Sequence, residues 1–269
     1  MKVFNENFFQ PASADALHRQ FIHAKPYPHI QIDGLLDEAF AHTLAANFPK
    51  KEDMRRHYKG LNEQKSEGSN FELYHESFRM LRSALGSPEF IGFLEKVTGI
   101  KGLILPDDHR GTGVHQGANG SFLDVHVDFS VHPVLNIHRR LNLLFFLNKD
   151  WKESYGGKLE LWDKEVKNCM AAYLPSFNRC VIFATSDISY HGYSKINVPE
   201  NVFRNSFFAY FYTPITQKEK VKYHDTIFKS RPSEGGLKKT QTILKESAKN
   251  FIKGSLRKLG VRKLFDKIE

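Results

Sequence analysis

Cysteine is almost absent: the 269 residues carry only Cys169 and Cys180. Two thiols cannot supply a disulfide framework or a thiolate-rich zinc site, and both are expected to be buried in a reducing compartment. Long apolar runs are also missing, so no segment is expected to cross a bilayer as a helix. The first residues, Met1 to Asn7, show neither the apolar stretch nor the cleavage site of a secretory leader, and a cytoplasmic location is expected. The two common glycine-rich phosphate-binding signatures do not occur, so Gly156-Gly157 reads as a backbone turn between strands. No nucleic-acid-binding motif appears, and nucleic acid is not expected as a partner.

Aromatic residues are plentiful, with 23 Phe and 10 Tyr, concentrated in a strand-like second half that suits a β-sandwich or barrel. The chain is long enough to bury a core as one unit. Its first third reads as helical support. Leu36, Phe40, Leu44 and Phe48 recur at helical spacing, and Ser87-Pro88 opens a second helix that Gly99 closes. Lys50 to Asn70 is polar with little periodicity, a long loop that is either a lid or disordered. Trp151 and Trp162 are expected in packing.

Charge is unevenly spread. Residues 218–269 hold fifteen Lys and Arg against six Asp and Glu, which accounts for the whole net charge of +9. Within 237–268, Ile243, Leu244, Ala248, Phe251, Ile252, Leu256 and Leu259 form a helical apolar stripe among lysines. Two readings stand: a helix that packs its apolar face on the body, or a basic amphipathic helix on an anionic membrane surface.

The chemistry lies in His126-Val127-Asp128, followed by His191 and Arg204. Alternate residues of a strand share a face, which brings His126 and Asp128 within one ligand sphere. Two imidazoles and a carboxylate hold Fe(II) on one side and leave the other open. His115, His132 and His138 flank the motif and rank lower as ligands. Around it run Arg140-Leu-Asn-Leu-Leu-Phe-Phe-Leu-Asn148, Asp150-Trp151, Gly156-Gly157-Lys-Leu-Glu-Leu-Trp162, Asn178-Arg-Cys-Val-Ile-Phe-Ala184 and Arg204-Asn-Ser-Phe-Phe-Ala-Tyr-Phe-Tyr212. As an ordered set over about residues 110–213, these resemble the prolyl-hydroxylase-like branch of the Fe(II)/2-oxoglutarate dioxygenases, most of all its free-standing bacterial members. A weaker likeness covers Tyr27 to Pro49.

The resemblance implies that His126, Asp128 and His191 are both the catalytic set and the metal ligands. It implies that Arg204 takes the distal carboxylate of 2-oxoglutarate, which suits a planar, permanently charged guanidinium. Ser206 faces the same side as a second donor, and Asn142 and Leu159 fall where the family lines the co-substrate pocket. Some relatives carry a tyrosine at the position of Phe146 that binds this carboxylate, so here either Asn142 or Ser206 compensates, or 2-oxoglutarate binds more weakly. Lys158 and Arg140 are fallback anchors.

The expected fold is mainly β with flanking helices. Residues 1–100 give helical support integrated with the core, 101–216 a double-stranded β-helix (jelly-roll), and 217–269 a basic helical extension. The implied activity is hydroxylation of a C–H bond with Fe(II), 2-oxoglutarate and O2, releasing succinate and CO2. The substrate is a prolyl residue of a protein, a sugar, a lipid-linked glycan or another small molecule, and the oligomeric state stays open. The alternative is a non-catalytic metal-binding β-helix scaffold recruited to a membrane or partner by its basic tail.

Overall fold

In the computed structural model, which describes residues 2–216 and 219–246, the core is a jelly-roll barrel. The strands are β1 (His29–Asp33), β2 (Arg56–Lys59), β3 (Glu63–Gly68), β4 (Thr112–Gly117), β5 (Phe122–Val127) and β6 (Ile137–Phe146). They continue as β7 (Leu159–Trp162), β8 (Cys169–Tyr173), β9 (Arg179–Ala184), β10 (His191–Tyr193), β11 (Arg204–Pro214) and β12 (Ile227–Phe228). All pair antiparallel in the order β1-β9-β6-β11-β4-β3-β5-β10-β7-β8, with β2 on β3 and β12 on β5. The path curls on itself into a nearly closed barrel.

Period-2 alternation divides each long strand between two environments. Phe207, Ala209 and Phe211 of β11, Leu141, Leu143 and Phe145 of β6, and Cys180 and Ile182 of β9 belong to the main core. Helices α1 (Pro11–His23), α2 (Glu38–Ala46), α3 (Glu76–Leu85) and α4 (Pro88–Thr98) cover that face with Phe21, Phe40, Phe78 and Phe90. The opposite residues of the same strands, including Arg204, Ser206, Asn142 and Phe146, face the barrel interior.

The helix boundaries follow capping chemistry. Ser87 Oγ accepts from the amide of Phe90 at 3.2 Å, Pro88 fills the first position, and Gly99 ends α4 at φ 74°. Asp37 caps α2 by accepting from Phe40 N, so Leu36 of the apolar stripe lies just before the helix and Phe48 just after it.

Three expectations need correction. Lys50 to Asn70 is not a structureless loop: a short 3-10 turn leads into the β2–β3 hairpin, and β3 pairs with both β4 and β5. Its alternation is one of charge, with Lys65 against Glu63, Glu67 and His115, and apolar periodicity therefore misses it. Cys169 is exposed, because β8 is an edge strand with a single partner, whereas Cys180 is buried as expected. The apolar stripe of the extension does not pack on the body in the described part. The helix at 236–246 buries Thr242 and Glu246 and leaves Leu237, Ile243 and Leu244 exposed. Ala248, Phe251, Ile252, Leu256 and Leu259 lie outside the described residues. No described helix is long and apolar enough to cross a membrane.

Candidate metal and 2-oxoglutarate site

His126 and His191 are register partners on β5 and β10, with ring centroids 4.3 Å apart. The register slips beside them: two steps of β10, from His191 to Tyr193, face three steps of β5, from His126 to Leu123. This bulge in β5 aims His126 inward together with Leu123. Gly192 makes room for it, since a Cβ there would come within 2.7 Å of Leu123 O and 2.9 Å of Asp124 O.

Each imidazole is fixed from behind. His126 Nδ1 lies 2.9 Å from Asp124 O, and His191 Nδ1 lies 2.9 Å from Ser189 O. Donation from Nδ1 to these carbonyls leaves both Nε2 lone pairs free as ligands. Those Nε2 atoms stand 3.6 and 3.4 Å from Asp128 oxygens. The three ligand atoms lie within 4.8 Å of one another, a donor set that could hold one metal ion. Burial first, and then the neighbouring His126, pull His191 down to about 3, so it stays neutral and ready to ligate at physiological pH.

Asp128 is held from the other side. Asn142 Nδ2 donates to its Oδ2 at 2.7 Å, and Arg139 makes an ion pair with the same oxygen at 3.1 Å. Arg139 Nε donates to Asn142 Oδ1 at 2.9 Å, and its guanidinium lies 3.6 Å from the ring centre of Tyr210. Burial alone would raise the Asp128 carboxyl, but Arg139 and the two histidines outweigh it and hold the group well below the usual carboxylate range. Both grips fall on Oδ2, which leaves Oδ1 for a metal.

Arg204 starts β11 and is 4% exposed. Its Nε donates to Gly157 O at 2.8 Å, and its guanidinium packs 4.1 Å from the Tyr193 ring and 5.0 Å from that of Phe146. Gly156 and Gly157 both take φ 68°, which aims that carbonyl inward. No described carboxylate lies within ion-pair distance of Arg204, and burial lowers its pKa to about 10. A buried guanidinium with no described carboxylate partner suits an incoming carboxylate.

Ser206 is buried and opposite Phe146 and His115 in register. Leu159 joins Phe146, Leu161, Val181 and Phe183 in an apolar wall. Asn142 is turned to Asp128 and Arg139. The fallback anchors lie elsewhere: Arg140 reaches Thr213 and Glu219, and Lys158 pairs with Glu153. His132 is engaged by Asp108. Two interior residues escaped the sequence reading, Arg139 and Tyr193. Tyr193 follows His191 by two positions on one strand face, a spacing that could have found it.

Residues 112–212, the span that holds the three ligand residues and Arg204, match the model of the 2OG-Fe(II) oxygenase superfamily. The chain carries a 2OG-Fe(II) oxygenase domain. The three-ligand cluster and the buried arginine described above are groups that could hold the Fe(II) and the 2-oxoglutarate in that superfamily's description. A curated relative, the prolyl 3-hydroxylase OGFOD1 of Mus musculus, is 24% identical over 236 residues, covering 79% of this chain and 41% of that protein. The chain thus spans about two fifths of that relative's length. Among solved structures, a Trichoplax adhaerens prolyl hydroxylase in complex with a hypoxia inducible factor oxygen degradation domain peptide fragment aligns with a TM-score of 0.56. It is 16% identical, over 75% of this chain and 91% of that one. A Pseudomonas putida prolyl-4-hydroxylase aligns with a TM-score of 0.54 at 14% identity, over 74% of this chain and 100% of that one. These likenesses show a shared fold.

Proposed function

We propose that this oxygenase hydroxylates a C–H bond of a prolyl residue in a protein or peptide, with His126, Asp128 and His191 as iron ligands and Arg204 as the anchor of 2-oxoglutarate. The observation that carries the site reading is the pairing of a three-ligand cluster with a buried arginine that has no acidic partner among the described residues. The prolyl substrate is supported by the prolyl hydroxylases among the relatives. A sugar, a lipid-linked glycan or another small molecule would need the same machinery.

Bound Fe(II) supplies the redox chemistry by which O2 oxidatively decarboxylates 2-oxoglutarate to succinate and CO2 and one oxygen atom passes to the substrate. The chain's own residues do the rest. His126 and His191 present their Nε2 atoms as donors, and their Nδ1 contacts keep the rings from turning. Asn142 and Arg139 hold Asp128 so that one oxygen faces the metal. Arg204 takes the far carboxylate of 2-oxoglutarate, with the Phe146–Leu159 wall excluding water behind it. The Tyr193 ring packs against the guanidinium and keeps its fork in place.

The test is succinate formation with Fe(II), 2-oxoglutarate and O2, with and without proline-containing peptides, read together with a gain of one oxygen on peptide by mass spectrometry. Succinate that rises only with other substrate classes would move the assignment. No turnover of any kind with metal bound would favour the non-catalytic scaffold.

A second reading concerns location. Leu237, Ile243 and Leu244 are exposed beside Lys245 on a helix within the segment that carries all the excess positive charge, and this favours docking on an anionic membrane. Full-length chain should sediment with phosphatidylserine vesicles at low salt and be released by added salt. No sedimentation at low salt would end this reading.

A further inference from the structure

The extension after the barrel reaches the metal-ligand strand itself. Ile227 and Phe228 of β12 pair with Val127 and His126 of β5, and the Phe228 ring lies 5.4 Å from that of His126. Beyond β12, donors arrive at the bulge. Lys229 N donates to Val125 O at 2.8 Å, and Arg231 Nη2 donates to Leu123 O at 3.3 Å. The carbonyl between them, Asp124 O, is the one that accepts from His126 Nδ1. The three consecutive carbonyls of the bulge are therefore each bound, two by the extension and one by the metal ligand.

The side chain of the central residue is secured as well. Asp124 is 2% exposed; Arg231 Nη1 donates to its Oδ1 at 3.1 Å, Lys238 Nζ stands 2.8 Å from Oδ2, and Asn62 donates to Oδ2 at 3.2 Å. Arg231 Nε also donates to Glu160 Oε2 on β7 at 2.9 Å, tying the strand on the far side of β10 to the same guanidinium. A bulge interrupts the ladder and leaves its carbonyls without strand partners. Here those carbonyls set the direction of a ligand imidazole.

We propose that Arg231, with Lys229 and Lys238, is a positioning element of the metal site: it staples the β5 bulge so that Asp124 O holds His126 in its ligating orientation. The inference rests on the reading of His126 as a metal ligand. It makes residues 227–238 part of the iron centre rather than an appendage, so the functional unit runs past the barrel's last long strand. Arg231 is not one of the ligand residues and acts through Asp124, Leu123 and Glu160.

The experiment measures Mn(II) affinity of the full chain by EPR titration for the unaltered protein, Arg231→Met, Arg231→Lys and Asp124→Asn, beside His126→Ala. Thermal unfolding of each metal-free protein is recorded in parallel. Arg231→Met should weaken Mn(II) binding about tenfold, as loss of an outer support of a ligand does. Arg231→Lys should recover part of this, because one cation remains for Asp124. Asp124→Asn keeps the backbone carbonyl and the side-chain shape; it tests the staple if Arg231→Met does not fold, and it too should weaken binding. A metal-free readout is the ring N–H of His126, whose NMR signal should exchange faster with water in these variants. A merely structural role would lower the unfolding temperature and leave Mn(II) affinity and this exchange unchanged. Affinities within about twofold of the unaltered protein for both Arg231→Met and Asp124→Asn would overturn the proposal. Unchanged affinity in His126→Ala would instead overturn the ligand reading on which it rests.

Discussion

Replacing Arg204 with methionine separates an anchor for a co-substrate from an ordinary structural arginine. Burial drops the guanidinium from 12.5 to about 10, a cost of about 3 kcal/mol for keeping it charged. Against this stand a hydrogen bond to Gly157 O and the contact with the Tyr193 ring, worth about 1–2 and about 1 kcal/mol. The sum is near zero, so Arg204→Met should leave the stability of the cofactor-free protein within about 1 kcal/mol of its starting value. An arginine in a buried ion pair would behave otherwise, since breaking such a pair costs about 3–5 kcal/mol. The functional effect is large. At 2-oxoglutarate near 100 times its Kd, the metal-loaded protein should gain about 2.7 kcal/mol of stability, and Arg204→Met should gain none. Arg204→Lys keeps a charge but not the fork, and its apparent KM for 2-oxoglutarate should rise at least about 30-fold, the lower end of a 2–5 kcal/mol loss. Denaturant titrations with and without 2-oxoglutarate, plus succinate kinetics, measure both. A methionine variant that loses several kcal/mol without ligand and still responds to 2-oxoglutarate would refute the reasoning.

His126→Ala should abolish succinate formation while the barrel stays folded, because the imidazole belongs to the ligand cluster and not to the hydrophobic core; near-normal turnover with confirmed metal content would remove it from the ligand set. Arg139→Gln leaves Asp128 buried without its cation, so the metal-free protein should lose about 3–5 kcal/mol. Mn(II) should restore part of that loss by replacing the missing positive charge, and equal losses with and without metal would count against the Arg139–Asp128 coupling. His115 is held down to about 4, first by burial and then by Lys65 beside it. The unfolded chain therefore takes up this proton first as pH falls below about 6.5, and stability present at neutral pH should be lost toward pH 4 at about 1.4 kcal/mol per pH unit. Denaturation at pH 7 and 5 should show a shallower loss in His115→Gln, and identical slopes in the two proteins would dispose of it.

The jelly-roll and its ordered site motifs were readable because apolar alternation and motif order survive in the sequence. What escaped lies where alternation breaks. Counting back by twos from Asn142 points Arg140 inward, yet one step of β11, Phe211 to Tyr212, faces two steps of β6, Leu141 to Arg139. That slip turns Arg139 in to Asp128 and Arg140 out to Glu219. The bulge at Leu123–His126 hid the support of His126 in the same way. The β2–β3 hairpin was missed because its inward residues are charged and satisfy one another, which a hydrophobicity pattern reads as loop. Arg231 gave no signal at all, since its partner Asp124 is 107 residues away.

That distance has a consequence for how the molecule is made. At about 5–20 residues per second, roughly 5–20 s separate the synthesis of Asp124 from that of Arg231. Through that interval the nascent chain already owns both histidines' strands or is completing them, but Leu123 O and Val125 O still face water or the ribosome surface. Leu123 O and Val125 O gain their donors only once the chain has doubled back to β5, so the bulge beside His126 is completed after every long strand of the barrel has been made.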